Sequence, residues 1–120
     1  MQKQRLAAQG RLSEFFGSAA IVIDEFMKYV GLQRSSEETW QAGVDPELAL
    51  ILQSYADGVN DYVQGVSLNP FEEKTARLLP PEFIAFGITK ENFDPWTAID
   101  CILIVRLMSF HLTWNWAADL

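Results

Sequence analysis

The sequence predicts an all-α fold of about six helices for the isolated chain, on three observations. Apolar residues recur at i, i+3, i+4 and i+7 over long stretches, helix starts and stops punctuate those stretches, and no segment carries a strong strand signal. Of the 120 residues 49% are apolar, enough for one packed core and too many for disorder.

The stretch from Asp45 to Gly65 is the most completely marked helix. Asp45 can cap it, Pro46 at the first helical position loses no hydrogen bond, and Glu47 places negative charge at the positive end of the dipole. Leu48, Ile51, Leu52, Tyr55, Val59, Tyr62 and Val63 share the spacing of one buried face, and Gly65 is placed to end the helix in the left-handed conformation. Gly58 costs roughly 1 kcal/mol in a helix interior, so a close approach to its backbone is expected.

Upstream, Gln2 to Phe16 reads as one helix with Leu6, Leu12, Phe15 and Phe16 as its apolar positions and Gly17 as its stop. A second helix runs from about Ser18 to Val30 with Val22, Ile23, Phe26, Met27 and Val30 inward and Gly31 ending it. A third begins at Ser35, at capping-box spacing from Glu38, and carries Trp40. Downstream, Phe71 to Leu79 suits about two helical turns and Pro81 to Phe86 one more, stopped by Gly87. Ile88 to Trp96 reads as a loop. Thr97 and Asp100 have capping-box spacing, and Ile99 to Trp116 is apolar on nearly every side, as in a helix buried within something larger. Asp100, Arg106 and His111 argue against a membrane span, and the apolar run is short for one.

Composition excludes several functions. Nine basic and sixteen acidic residues give a formal charge of −7 with no basic cluster, so nucleic acid is a poor partner. The single Cys101 excludes an internal disulfide and has no ligand-spaced partner. Residues 1 to 12 lack the apolar core of a secretory signal, as would any mature or fragmentary chain. His111 and Ser109 are two apart and point about 200° from each other on a helix, so they form no catalytic pair. Asp57, Asn60 and Asp61 lack the loop of a calcium motif, and Asp24-Glu25 and Glu37-Glu38 read as exposed helical acids. Residue chemistry alone names no activity.

Five blocks, in order, resemble the penicillin acylase (penicillin amidase) family of N-terminal nucleophile hydrolases. They are QRLAAQGRLSEFFG at Gln4 to Gly17, IDEFMKYVGL at Ile23 to Leu32, DPE with YADGVNDYV in the Asp45 helix, LPPEF at Leu79 to Phe83 followed by Gly87-Ile88, and PWTAIDCILIVRLMSF at Pro95 to Phe110. Lys28 stands where arginine is more usual, and Ala98 where the family often has proline.

The resemblance implies a helical segment, residues 1 to 120, of the α chain of a larger α+β (αββα) enzyme, truncated at both ends. It implies a precursor that cuts itself into α and β chains and hydrolyses a linear amide: the acyl side chain of a β-lactam, an N-acyl-homoserine lactone or a lipopeptide. The nucleophile would be the N-terminal serine of the β chain, with its α-amino group as base and the oxyanion donors also in that chain. The sequence in hand contains no catalytic residue of that kind and would be inactive alone. Its expected partners are the β chain and a small-molecule amide. The resemblance places Met108, His111 and Leu112 in the acyl pocket; Met108 and Leu112 are i, i+4 neighbours on one helix face, with His111 between them. It also places Asn115 and Asp119 at the bend after that helix, where some members hold calcium through an acid, so Asp119 is a candidate calcium ligand; no cofactor is required. A periplasmic or secreted location is implied in the same way. A different class stays open: a noncatalytic helical interaction module, or a remnant of such an enzyme.

Overall fold

A computed structural model describes residues 1–65, 81–89 and 91–113. The all-α expectation holds among them: α1 Gln2–Gln9, α2 Ser13–Phe16, a 3-10 turn Gly17–Ala20, α3 Ile21–Val30, α4 Leu32–Ala42, α5 Pro46–Gln64, α6 Pro81–Ala85 and α7 Ala98–Thr113, with no strand. The helix predicted for Phe71 to Leu79 lies outside the described residues, as do residues 114–120.

The expected helix from Gln2 to Phe16 is two helices. Gly10 adopts φ 67° and ψ 45°, and the N–H groups of Gly10 and Arg11 close back onto the carbonyls of Ala7 and Leu6. The break lets α3 cross close by: a Cβ on Gly10 would lie 2.7 Å from the Asp24 carbonyl oxygen. Asp24 is not the exposed acid its sequence context suggests. It is 4% exposed, and its carboxylate accepts the Leu12 and Ser13 N–H groups at 2.8 Å each, capping the start of α2. Burial alone would raise the Asp24 carboxyl; the bonds from Ser13 and Leu12 and the Lys28 charge outweigh it and hold it below the usual range.

That cap fixes the rotation of α3. Ala20, Asp24 and Met27 turn inward, whereas Val22, Ile23 and Phe26, expected inside, are 74%, 50% and 43% exposed. The α-helix also starts at Ile21 rather than Ser18, after the 3-10 turn. Gly31, left-handed at φ 75°, ends α3 and starts α4 in a single residue. The third helix therefore begins at Leu32, and Ser35 is an interior residue rather than a cap. Ser36, fully buried, returns its hydroxyl proton to the Leu32 carbonyl.

In α5 the expected start holds: the Asp45 carboxylate accepts the Glu47 and Leu48 N–H groups at 3.0 and 3.3 Å. The buried face is narrower than expected. Ala56 and Val63 are buried and Leu52 and Val59 half-buried, but Leu48, Ile51, Tyr55 and Tyr62 are exposed. Asn60 sets this rotation, because its side chain pairs with both backbone groups of Trp96. Gly65 remains right-handed, at φ −78°, and nothing lies within 4 Å of a Cβ built on Gly58, so neither glycine behaves as expected. Gly58 instead floors an open groove beside Ser54, Tyr55, Val59 and Tyr62.

Among the described residues three small apolar clusters make the core. Ala56, Val63, Ile88, Phe93 and Trp96 form one, Ala8, Met27, Leu103 and Leu107 the second, and Leu6, Leu12 and Ala20 the third. Helix α7 packs against α1, α4 and α5, joining the first two clusters: Leu103 and Leu107 belong to one, and Cys101 and Ile104 lean on the other. The apolar last helix is thus the hub of the fold, and no helix among the described residues is long and apolar enough to cross a membrane.

Candidate functional site

The start of α7 is held by its own capping box, by α1 and by α5. The predicted Thr97–Asp100 capping box is reciprocal: the Asp100 carboxylate accepts the Thr97 N–H at 2.8 Å and its hydroxyl at 3.0 Å, while the Thr97 hydroxyl oxygen accepts the Asp100 N–H at 3.3 Å. From α1, Arg5 and Gln9 donate to the same carboxylate, at 3.3 and 3.2 Å. Arg5 also donates to the carbonyls of Asp94 and Pro95, at 2.8 and 3.2 Å, and its guanidinium lies 4.9 and 4.8 Å from the ring centroids of Phe93 and Trp96. From α5, Asn60 holds the Trp96 backbone by two hydrogen bonds, at 2.6 and 2.8 Å.

Arg5 and Asp100 are 1% and 4% exposed, so this is a buried ion pair with nearly all its polar atoms engaged. Burial lowers the Arg5 guanidinium from its ordinary value, against the pull of Asp100 and Asp94. The neighbouring Cys101 thiol is pushed up by burial and accepts the Trp96 indole N–H at 3.4 Å. Further along, Arg106 donates to the Thr39 hydroxyl of α4 at 2.6 Å and fixes the rotation of α7 at its middle.

With its start and middle fixed, α7 turns one apolar strip away from the rest of the described chain. Val105, Met108 and Leu112 fall within about 60° of the helix circumference at 100° per residue and are 63%, 59% and 82% exposed. His111 is also exposed and lies about 60° to the other side of Met108. The three residues expected in an acyl pocket therefore share one uncovered surface, and Val105 extends it. Ser109 donates to the Val105 carbonyl at 2.9 Å and does not meet His111, as the helical spacing requires.

Asp119 lies outside the described residues, and among those described no group of three or more His, Cys, Asp or Glu side chains could hold a metal ion. The sequence reading missed Arg5, Gln9 and Asn60. Only Asp100 offered a signal: a capping acid on so apolar a helix has acceptor capacity that one threonine does not fill.

Comparison with known proteins gives a consistent picture. The penicillin amidase family profile matches residues 1–120. An acyl-homoserine lactone acylase QuiP of Pseudomonas fluorescens (strain Pf-5) is 36% identical over 110 residues, covering 92% of this chain and 12% of the relative. The protein of that name from Pseudomonas syringae pv. tomato is 35% identical over 120 residues, 100% of this chain and 13% of the relative. A penicillin G acylase of Escherichia coli is 30% identical over 96 residues, 80% of this chain and 11% of the relative. The chain thus spans about one eighth of the length of the curated relatives it matches. No solved structure matches it.

Proposed function

The chain belongs to the penicillin amidase family, and from that membership we propose that it is part of an amidohydrolase that cleaves a linear amide, with α7 forming one wall of the acyl pocket. The observation that carries this reading is the uncovered strip of Val105, Met108 and Leu112, with His111 at its edge, on a helix otherwise anchored on three sides. An apolar acyl group is the natural ligand of such a surface, and methionine adapts to its shape. His111 supplies a polar tip where the acyl chain meets more polar parts of the substrate. The nucleophile is assigned to the serine-led β chain that the family resemblance implies, since His111 and Ser109 do not meet here. The relatives named as acyl-homoserine lactone acylases support an N-acyl-homoserine lactone as the first substrate to test, ahead of β-lactam side chains and lipopeptides.

Two further exposed apolar surfaces, Leu48, Ile51 and Tyr55 on α5 and Val22 and Ile23 on α3, fit burial against the rest of a longer protein, the β chain included. Calcium at Asp119 stands as a proposal from the resemblance, and the chemistry assigned to α7 does not use it.

Met108→Trp in the complete enzyme tests the reading. If the larger ring removes room for two methylenes, at about 0.8 kcal/mol each, the ratio of kcat/KM for long over short acyl chains falls roughly tenfold. An unchanged chain-length profile would remove Met108 from the pocket.

A further inference from the structure

We propose that Arg5 is a positioning residue for acyl-chain selection: through Asp100 it sets the pose of α7 and hence the depth of the pocket wall at Met108 and Leu112. The proposal rests on the acyl-pocket reading of α7. Three features of the structure carry it. First, Arg5 does more than neutralise Asp100. It is nearly fully buried on α1, and its planar fork ties the carboxylate on the first turn of α7 to two successive backbone carbonyls, those of Asp94 and Pro95, in the segment that leads into that turn. It therefore fixes the direction in which α7 leaves the loop as well as its rotation.

Second, the rings of Phe93 and Trp96 hold the guanidinium, and Asn60 of α5 holds the Trp96 backbone, so the fork is aligned by groups outside α1 and α7. Third, geometry transmits what happens there. Arg106 holds the middle of α7 to Thr39, and Leu112 lies 6 residues beyond it, about 9 Å along the axis at 1.5 Å per residue. A tilt of about 5° about that point displaces Leu112 by about 0.8 Å, close to the scale at which a misplacement of about 1 Å costs up to a hundredfold in rate. An acyl chain long enough to reach the strip registers that displacement; a chain too short to reach it does not.

Lysine keeps the charge opposite Asp100 but cannot reproduce the planar fork or bridge three acceptors in the same geometry. The experiment compares Arg5→Lys, Met108→Trp and the parent in the complete acylase, on a series of N-acyl amides of increasing chain length, with rates normalised to titrated active sites. For Arg5→Lys the ratio of kcat/KM for the longest over the shortest accepted chain is expected to fall about tenfold. A residue that merely stabilises the fold would lower the concentration of active enzyme and leave that ratio unchanged, and this result overturns the proposal. If Arg5→Lys fails to fold, Gln9→Met, which removes the 3.2 Å bond to Asp100 and the 3.4 Å bond from Arg11, takes its place with a smaller fall in the same direction. Met108→Trp separates the two claims. A changed profile for Met108→Trp with an unchanged one for Arg5→Lys refutes positioning alone, whereas a changed profile for Arg5→Lys with an unchanged one for Met108→Trp refutes the acyl-wall reading and the positioning role built on it.

Discussion

Replacing Gly10 by alanine measures how closely α1 and α3 cross. Gly10 sits at φ 67°, and the left-handed conformation costs a residue with a Cβ roughly 1 kcal/mol. The new methyl would also lie 2.7 Å from the Asp24 carbonyl oxygen and 2.7 Å from the Lys28 Cγ. Lys28 is exposed and its side chain can swing aside, but the carbonyl belongs to a helix whose Asp24 side chain is bound to α2, so α3 must shift. Overpacking of this kind costs typically about 1–3 kcal/mol, which brings the total to roughly 2–4 kcal/mol. Gly87 provides the control, because its φ of 66° is nearly the same while nothing lies within 4 Å of the position a methyl would take there. Gly87→Ala should therefore show the backbone cost alone, about 1 kcal/mol. Equilibrium urea unfolding of the purified protein, followed by far-ultraviolet circular dichroism and compared at constant m, reads both values. Equal destabilisation of the two variants would refute the close crossing of α1 and α3.

Two further outcomes concern buried charge. Asp100→Ala leaves Arg5 buried without its carboxylate and is expected to cost about 3–5 kcal/mol in the same assay, with Asp100→Asn milder because an amide oxygen still accepts; a loss below about 1 kcal/mol would contradict the buried pair. Asp24 has a folded-state pKa below its unfolded value, so its contribution is complete above about pH 4 and is lost as pH falls through the lower folded value. The parent should therefore lose stability more steeply than Asp24→Asn between about pH 4 and pH 2, and parallel curves would contradict the cap.

Several helix ends were legible in the sequence from local signals, although Gly65 and the Ser35–Glu38 spacing, equally local, did not act as expected. Asp45, the Thr97–Asp100 pair, Gly31 and Gly87 act within three or four residues of their own position, and each behaves as its residue type predicts. Facing was less legible. Periodicity marks an apolar side but cannot say whether this chain or another surface covers it, so Ile51 and Tyr55 on α5 and Val22 and Ile23 on α3 look like core in the sequence yet lie exposed. Long-range polar contacts were not legible at all. Arg5 meets Asp100 95 residues away and Asp24 caps a helix that starts 11 residues before it, and neither partnership leaves a trace in local spacing. Gly10 shows the same limit: an isolated glycine amid helix formers resembles a tolerated interruption until the carbonyl opposite it is known. For the candidate site, one shared face for Met108, His111 and Leu112 followed from helical geometry, whereas its exposure depended on where α1, α4 and α5 dock.

The central claim is that α7 forms a wall of an acyl pocket, and photolabelling of the complete protein tests it most directly. An unhydrolysable N-acyl amide carrying a diazirine at the end of its acyl chain is bound, irradiated, and its adducts mapped by peptide mass spectrometry. Labelling is expected at Met108 or Leu112, suppressed by excess unlabelled amide. Competable labelling confined to residues outside α7 would contradict the claim.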